Sequence, residues 1–204
     1  MVNKQADDEQ IEAKTARSLI SARARDCLDS IVKRVREDSP PERAPLAGEF
    51  VRAFFAALPA EDLTPTNQET LFAIAVAQWR FMQERAPGTA KVRVYNPSPE
   101  IDGWESPYTV VAMLNDDMPF IIDSVTAYLT GQQLALHRLI HPVLRIERDA
   151  GGNLTDLKGA TEDGGRALES CVLLEIDRCA GENLLLQLER ELNDILEDVR
   201  AVTA

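Results

Sequence analysis

Three aspartates and two histidines are the residues of this chain whose types and spacing invite chemistry. Asp116, Asp117 and Asp123 fall where an apolar run ends and an amphipathic one begins. Grouped carboxylate oxygens suit a divalent cation. They equally suit a helix start, where acidic side chains accept free N–H groups and offset the macrodipole. Asp123 would lie a full turn inside the helix, which favours the capping reading over the metal. A third reading lets the N–H groups of that helix start hold a ligand carboxylate while an aspartate pairs with the ligand's ammonium group. An amino acid carries both groups. His137 and His141, the only histidines, stand four apart. On a helix that spacing suits zinc, but Pro142 and β-rich surroundings predict an extended chain, with the two about 13 Å apart and unable to share an ion. They read as polar residues on a sheet face or rim. The scattered cysteines give a Cys-His nucleophile no support. GxGxxG, the phosphate-loop pattern, GxSxG and HExxH are all missing. No catalytic, cofactor-binding or metal residue is therefore assigned.

Composition narrows the function classes. The chain has 204 residues, enough to bury roughly 70% of the surface it exposes when unfolded. Twenty-two Lys and Arg against 34 Asp and Glu give a net charge of −12, which repels phosphate backbones and anionic lipids. Neither nucleic acid nor membrane is an expected partner. The basic residues between Lys14 and Arg36 alternate with acidic ones, as on a solvated helix face. Cys27, Cys171 and Cys179 are odd in number and form no CxxC pair, so a reducing, cytoplasmic setting is expected. The first residues lack the apolar stretch of a signal peptide, and no run approaches the ~20 apolar residues of a membrane span.

The elements that must position these residues fall into two halves. To Pro87 the period is helical: Ile11 to Glu37, stopped by Pro40-Pro41; Leu46 to Leu58; and a third helix capped by Thr66 or Asn67 and reaching Arg85. That third helix is apolar on more than one face, so it is expected to be buried on two sides or to dock on something further. From Lys91 the pattern changes. Val92 to Tyr95 alternates, and Thr109 to Leu114 is continuously apolar, as for a strand covered on both faces. A helix follows to about Gln133, with Pro119 suited to its first position. Leu134 to Arg148 is extended and bent near His141-Pro142; Leu154 to Lys158 is a short strand. A strand from Leu168 to Asp177 alternates, with Glu169 and Glu175 on one face, and Glu182 to Val202 is an amphipathic helix. The order is a split βαβ, ferredoxin-like pattern with helices on one face of an antiparallel sheet. Its fourth strand is either Val92 to Tyr95 or missing from a chain cut short. The second is expected, which would leave an open edge free to pair.

Specific runs then suggest a family. Pro87-Gly88-Thr89-Ala90-Lys91-Val92-Arg93-Val94-Tyr95-Asn96-Pro97, Gly103-Trp104-Glu105-Ser106-Pro107 and Asn115-Asp116-Asp117-Met118-Pro119-Phe120-Ile121-Ile122-Asp123-Ser124-Val125 resemble the amino-terminal region of the large bacterial NAD-specific glutamate dehydrogenases. His141-Pro142-Val143-Leu144 and Leu174-Glu175-Ile176-Asp177-Arg178 fit as well, while Thr130-Gly131-Gln132-Gln133 is an unusual helix end. The resemblance implies an α+β fold: a helical segment, residues 1–87, then an ACT-like module, 88–204, with its last strand expected to be missing. It implies a non-catalytic regulatory or assembly region of an NAD-dependent enzyme that oxidises L-glutamate to 2-oxoglutarate and ammonium. Substrate lysines and the NAD site would lie in downstream modules of the same polypeptide, and this region would hold no cofactor. ACT modules often bind amino acids after their first strand, which points to Asn115, Asp116, Asp117 and Met118. The implied partners are those downstream modules, further copies in a homo-oligomer and an amino-acid effector. The alternative is a purely structural interaction domain between modules or subunits, without ligand.

Overall fold

The computed structural model describes residues 2–63, 65–159 and 167–203. Its first helix, α1 (Val2–Asp38), stops where Pro40-Pro41 can no longer donate an N–H. Helix α2 (Ala44–Ala56) carries Phe50, Phe54 and Phe55 on its buried side, and a short α3 (Ala60–Leu63) follows. Asn67 opens α4 (Gln68–Phe81) by accepting the Glu69 N–H at 2.9 Å, as its residue type predicts. The helix ends four residues before the expected Arg85. Its inward residues include Leu71, Ile74 and Trp79, and the rings of Phe50 and Trp79 lie 5.7 Å apart.

The second half begins with β1 (Lys91–Tyr95) and the single turn α5 (Pro99–Asp102), closed by Gly103 in the left-handed region. Then come β2 (Thr109–Asp116), α6 (Ile121–Gly131), β3 (Leu136–Ile140), β4 (Val143–Arg148), β5 (Leu154–Gly159), β6 (Ala167–Ile176) and α7 (Glu182–Thr203). All pairings are antiparallel. The sheet runs β1-β2-β6-β4-β5, with β3 also on β6. Thus β6 pairs with β2 along one edge and with β3 and then β4 along the other. The extended segment 134–148 is indeed broken at His141-Pro142, and the Cys171 N–H reaches Pro142 O at 3.0 Å to hold the break.

The expectation of a missing fourth strand is corrected. The place beside β2 is filled by β1, with Lys91 opposite Leu114 and Tyr95 opposite Val110. On its outer edge the Val94 N–H donates to the Glu189 carboxylate of α7 at 2.9 Å. Pro119 is also moved: α6 starts at Ile121, after Phe120 at φ 70°.

Strand pleating sends alternate side chains to two cores. Val111, Met113, Val172, Leu174 and Ile176 meet α6 and α7, whose Val125, Leu129, Leu188, Leu192 and Leu196 are buried. On the other face Val110, Leu114, Leu144, Ile146, Cys171 and Leu173 join the core of the first four helices. Helices α1 to α4 therefore supply the layer that covers the sheet face left bare by α6 and α7.

Candidate functional site

The site anticipated at Asn115, Asp116, Asp117 and Met118 lies at the end of β2 rather than in a free loop. Asn115 and Asp116 are its last two residues, opposite Ser170 and Glu169 of β6, and the Asp117 N–H continues the ladder to Leu168 O at 2.8 Å. Pleating turns Asn115 towards α7 and Asp116 towards the helical layer. Asn115 is fully buried, and its Oδ1 accepts from Arg200 of α7. Asp116 accepts from Arg85 Nη2 at 2.5 Å and from Arg200 Nη2 at 3.4 Å. Met118 Sδ lies 3.5 Å from Thr203 Oγ1 on α7.

Behind Asp116 stands a buried ionic cluster that sequence reasoning missed. Glu169 is 2% exposed. Arg148 holds it with two donors, Nε at 2.8 Å and Nη2 at 2.9 Å, and Arg85 adds a third at 3.0 Å. Arg148 also donates to Met82 O and Gly152 O, each at 3.1 Å, and Arg85 to Thr89 O at 2.8 Å. Burial alone would lower the Arg85 guanidinium; the hydrogen bond to Asp116 and the charge of Glu169 outweigh it and hold it above its ordinary value. Burial, together with the charge of Arg148 and against that of Glu84, lowers the neighbouring Lys91. One signal could have found the cluster: a carboxylate on the inner face of a strand with apolar neighbours must have a cationic partner.

Three arginines here share two carboxylates. Arg85 Nε, Arg200 Nε and Asn115 Nδ2 are buried with no acceptor among the described residues. The imbalance is all on the donor side, so what the cluster lacks is an acceptor of hydrogen bonds.

Asp117 differs from Asp116. It is exposed, and one oxygen accepts from Ser170 Oγ at 2.7 Å. His141 Nε2 lies 3.0 Å from the same hydroxyl. With the serine proton directed to Asp117, the histidine is the donor to Ser170 and cannot activate it as a base. His137 is elsewhere, 2.7 Å from Asp177 and stacked on Tyr108. The two histidines thus serve different neighbours on an extended chain, as read from Pro142. The capping reading of the aspartates is not realised, because Phe120 is the N-cap of α6 and no side chain caps it; only Asp123 stands in the first turn. Among the described residues no three His, Cys, Asp or Glu side chains gather as a metal site requires. None of the described helices is long and apolar enough to cross a membrane.

Residues 50–192 match the family described as Glutamate dehydrogenase, ACT1 domain. The chain is 32% identical over 180 residues to an NAD-specific glutamate dehydrogenase of Halomonas elongata, covering 88% of this chain and 11% of that protein. It is 34% identical over 156 residues to one of Pseudomonas aeruginosa, covering 76% of this chain and 10% of that protein. It spans about a tenth of the length of these curated relatives. With the match running from α2 into α7, through the whole sheet and the cluster behind Asp116, the chain belongs to the glutamate dehydrogenase ACT1 domain family.

Proposed function

We propose that this chain is a non-catalytic regulatory and assembly region of a large, cytoplasmic, homo-oligomeric NAD-specific glutamate dehydrogenase, and that its ACT-like module binds an amino-acid effector at the end of β2. In this reading residues 1–87 are the helical layer and 88–204 the module. The parent enzyme would oxidise L-glutamate to 2-oxoglutarate and ammonium, with NAD and the catalytic groups held by downstream modules of the same polypeptide. The observation that carries the effector site is the surplus of buried donors around Asn115 and Asp116. A ligand carboxylate would supply the missing acceptor. Asp117, exposed and with one hydrogen bond to its carboxylate among the described residues, would take the ammonium group.

The same groups give binding a route to the rest of the molecule. Arg85 stands between α4 and β1, Arg148 on β4 and Arg200 on α7. A ligand that competes for these guanidinium groups changes how three elements are tied to one another. If its affinity differs between two arrangements of the parent, it biases their populations. Thermal unfolding of the chain against a panel of L-amino acids and NAD tests the reading. A ligand at a hundred times its dissociation constant adds about 2.7 kcal/mol, a rise of several degrees. One or two amino acids are expected to stabilise, with the increment lost in Asp116→Asn and Asp117→Asn. No shift with any amino acid, or a shift with NAD alone, would overturn it.

A further inference from the structure

Helix α4 leaves Phe72 and Val76 only partly buried against the core. With the buried Ala73 they line the floor of a cleft of about 670 Å³ whose opposite wall is the segment from Pro99 to Glu105. A second hollow of about 260 Å³ shares Arg80, Ile101 and Asp102 with it and continues past Phe81. Together they make one trough along α4 from Glu69 to Phe81, roughly 18 Å at the rise of an α-helix. Ile101 stands over it 79% exposed. Trp104, also part of the lining, buries its indole N–H with no acceptor among the described residues.

The rim is acidic. Asp38, Glu69, Glu100, Asp102 and Glu105 line the main cleft against one cation, Arg80. Glu69 is held by Arg34, which also stacks on Phe72 at 4.0 Å, and Asp102 is held by Arg93. Glu100 and Glu105 have no cationic partner among the described residues and are exposed. An apolar floor of this length with unneutralised carboxylates on one wall fits a chain segment with the opposite pattern.

We propose that this trough is a docking site for a cationic, apolar polypeptide segment, such as one face of an amphipathic helix with Lys or Arg beside its apolar stripe. The occupant is not a second copy of this chain, whose net charge of −12 would bring like charges together. The site is separate from the end of β2 and does not depend on the effector reading. Its floor is the outer stripe of α4, and its selectivity comes from Glu100 and Glu105.

Two helical peptides of about 18 residues test this against the isotopically labelled chain by NMR: one with leucines at i, i+3, i+4 and i+7 and lysines elsewhere, the other with glutamate in place of lysine. The lysine peptide is expected to shift resonances of residues 69–81 and 99–105. Its affinity should fall at least tenfold in Glu100→Gln/Glu105→Gln, at least threefold in Ile101→Ser, and further with added salt. All three positions are exposed, so the variants keep the fold. Equal binding of the glutamate peptide, shifts elsewhere, indifference to the variants, or no binding of the lysine peptide would each overturn the proposal. So would concentration-dependent shifts of the trough residues without peptide, which would make a second copy the occupant.

Discussion

His141, between β3 and β4, lies where burial and charge oppose each other. Burial lowers its pKa below the ordinary 6.5, and the carboxylate of Asp117 beyond Ser170 offsets part of that effect. A histidine with a depressed folded value contributes stability that is fully present above about pH 6.5. That contribution is lost as pH falls towards the folded value, because the unfolded chain binds the proton first. The His141 resonances are therefore expected to titrate below 6.5, and lower still in Asp117→Asn. Denaturant unfolding should show stability falling below pH 6.5, with a shallower fall in His141→Asn. A midpoint at or above 6.5 would mean that Asp117 outweighs burial. Part of this was legible before the fold: Pro142 marked both histidines as extended, and the aspartates were singled out by position. The partners were not. Arg85, Arg148 and Arg200 lie 21 to 84 residues from the carboxylates they hold or share, and no spacing rule reaches that far. Only the type of Glu169, charged on a covered strand face, announced that some cation had to be there.

Among the elements, the β4–β5 hairpin has a role beyond its own ladder. Asp149 Oδ1 accepts the N–H groups of Gly151 at 2.9 Å and Asn153 at 2.8 Å, which tightens the turn. The turn then grips the segment between α4 and β1: the Arg85 N–H donates to Gly152 O at 3.0 Å and the Leu154 N–H to Gln83 O at 2.8 Å. Gly152 sits at φ +86°, and a Cβ there would lie 2.1 Å from Arg85 O. Gly152→Ala is expected to cost at least about 1–3 kcal/mol from strain alone, and the backbone contact adds to it. Gly151→Ala, next door with no left-handed φ, sets its Cβ 3.3 Å from Asp149 Oδ1 and 3.2 Å from Asn153 Nδ2, side-chain atoms that can shift, and should cost clearly less than Gly152→Ala. Urea unfolding of the pair separates the two; equal losses would mean that the grip contributes nothing. The helices and most strands could be read from periodicity, proline and capping residues, since those signals are local. The place of β1 could not. A strand's partner is chosen by the sheet that forms around it, and the local pattern of Val92 to Tyr95 is the same whether the strand ends beside β2 or stands alone.

For the whole molecule, the two cores on opposite faces of one sheet make the helical layer part of the module's stability. Removing α1 to α4 would bare Val110, Leu144, Ile146, Cys171 and Leu173. A chain of residues 88–203 is therefore expected to lose cooperative thermal unfolding, to bind a dye such as ANS and to lose near-ultraviolet dichroism while keeping most of its backbone signal. Cooperative unfolding at the full chain's midpoint would instead make the layers independent. The position of β6 carries a further consequence, for how the protein is made. Every other strand of the sheet precedes it, and β2, β3 and β4 all depend on it for an edge. On the ribosome β2 and β1 can pair as soon as both emerge. The second edge of β2 then waits for roughly fifty more residues, several seconds at ordinary rates of synthesis. During that interval the apolar run from Val110 to Leu114 is a nascent, half-paired ribbon. Only when β6 arrives can it gain its second partner.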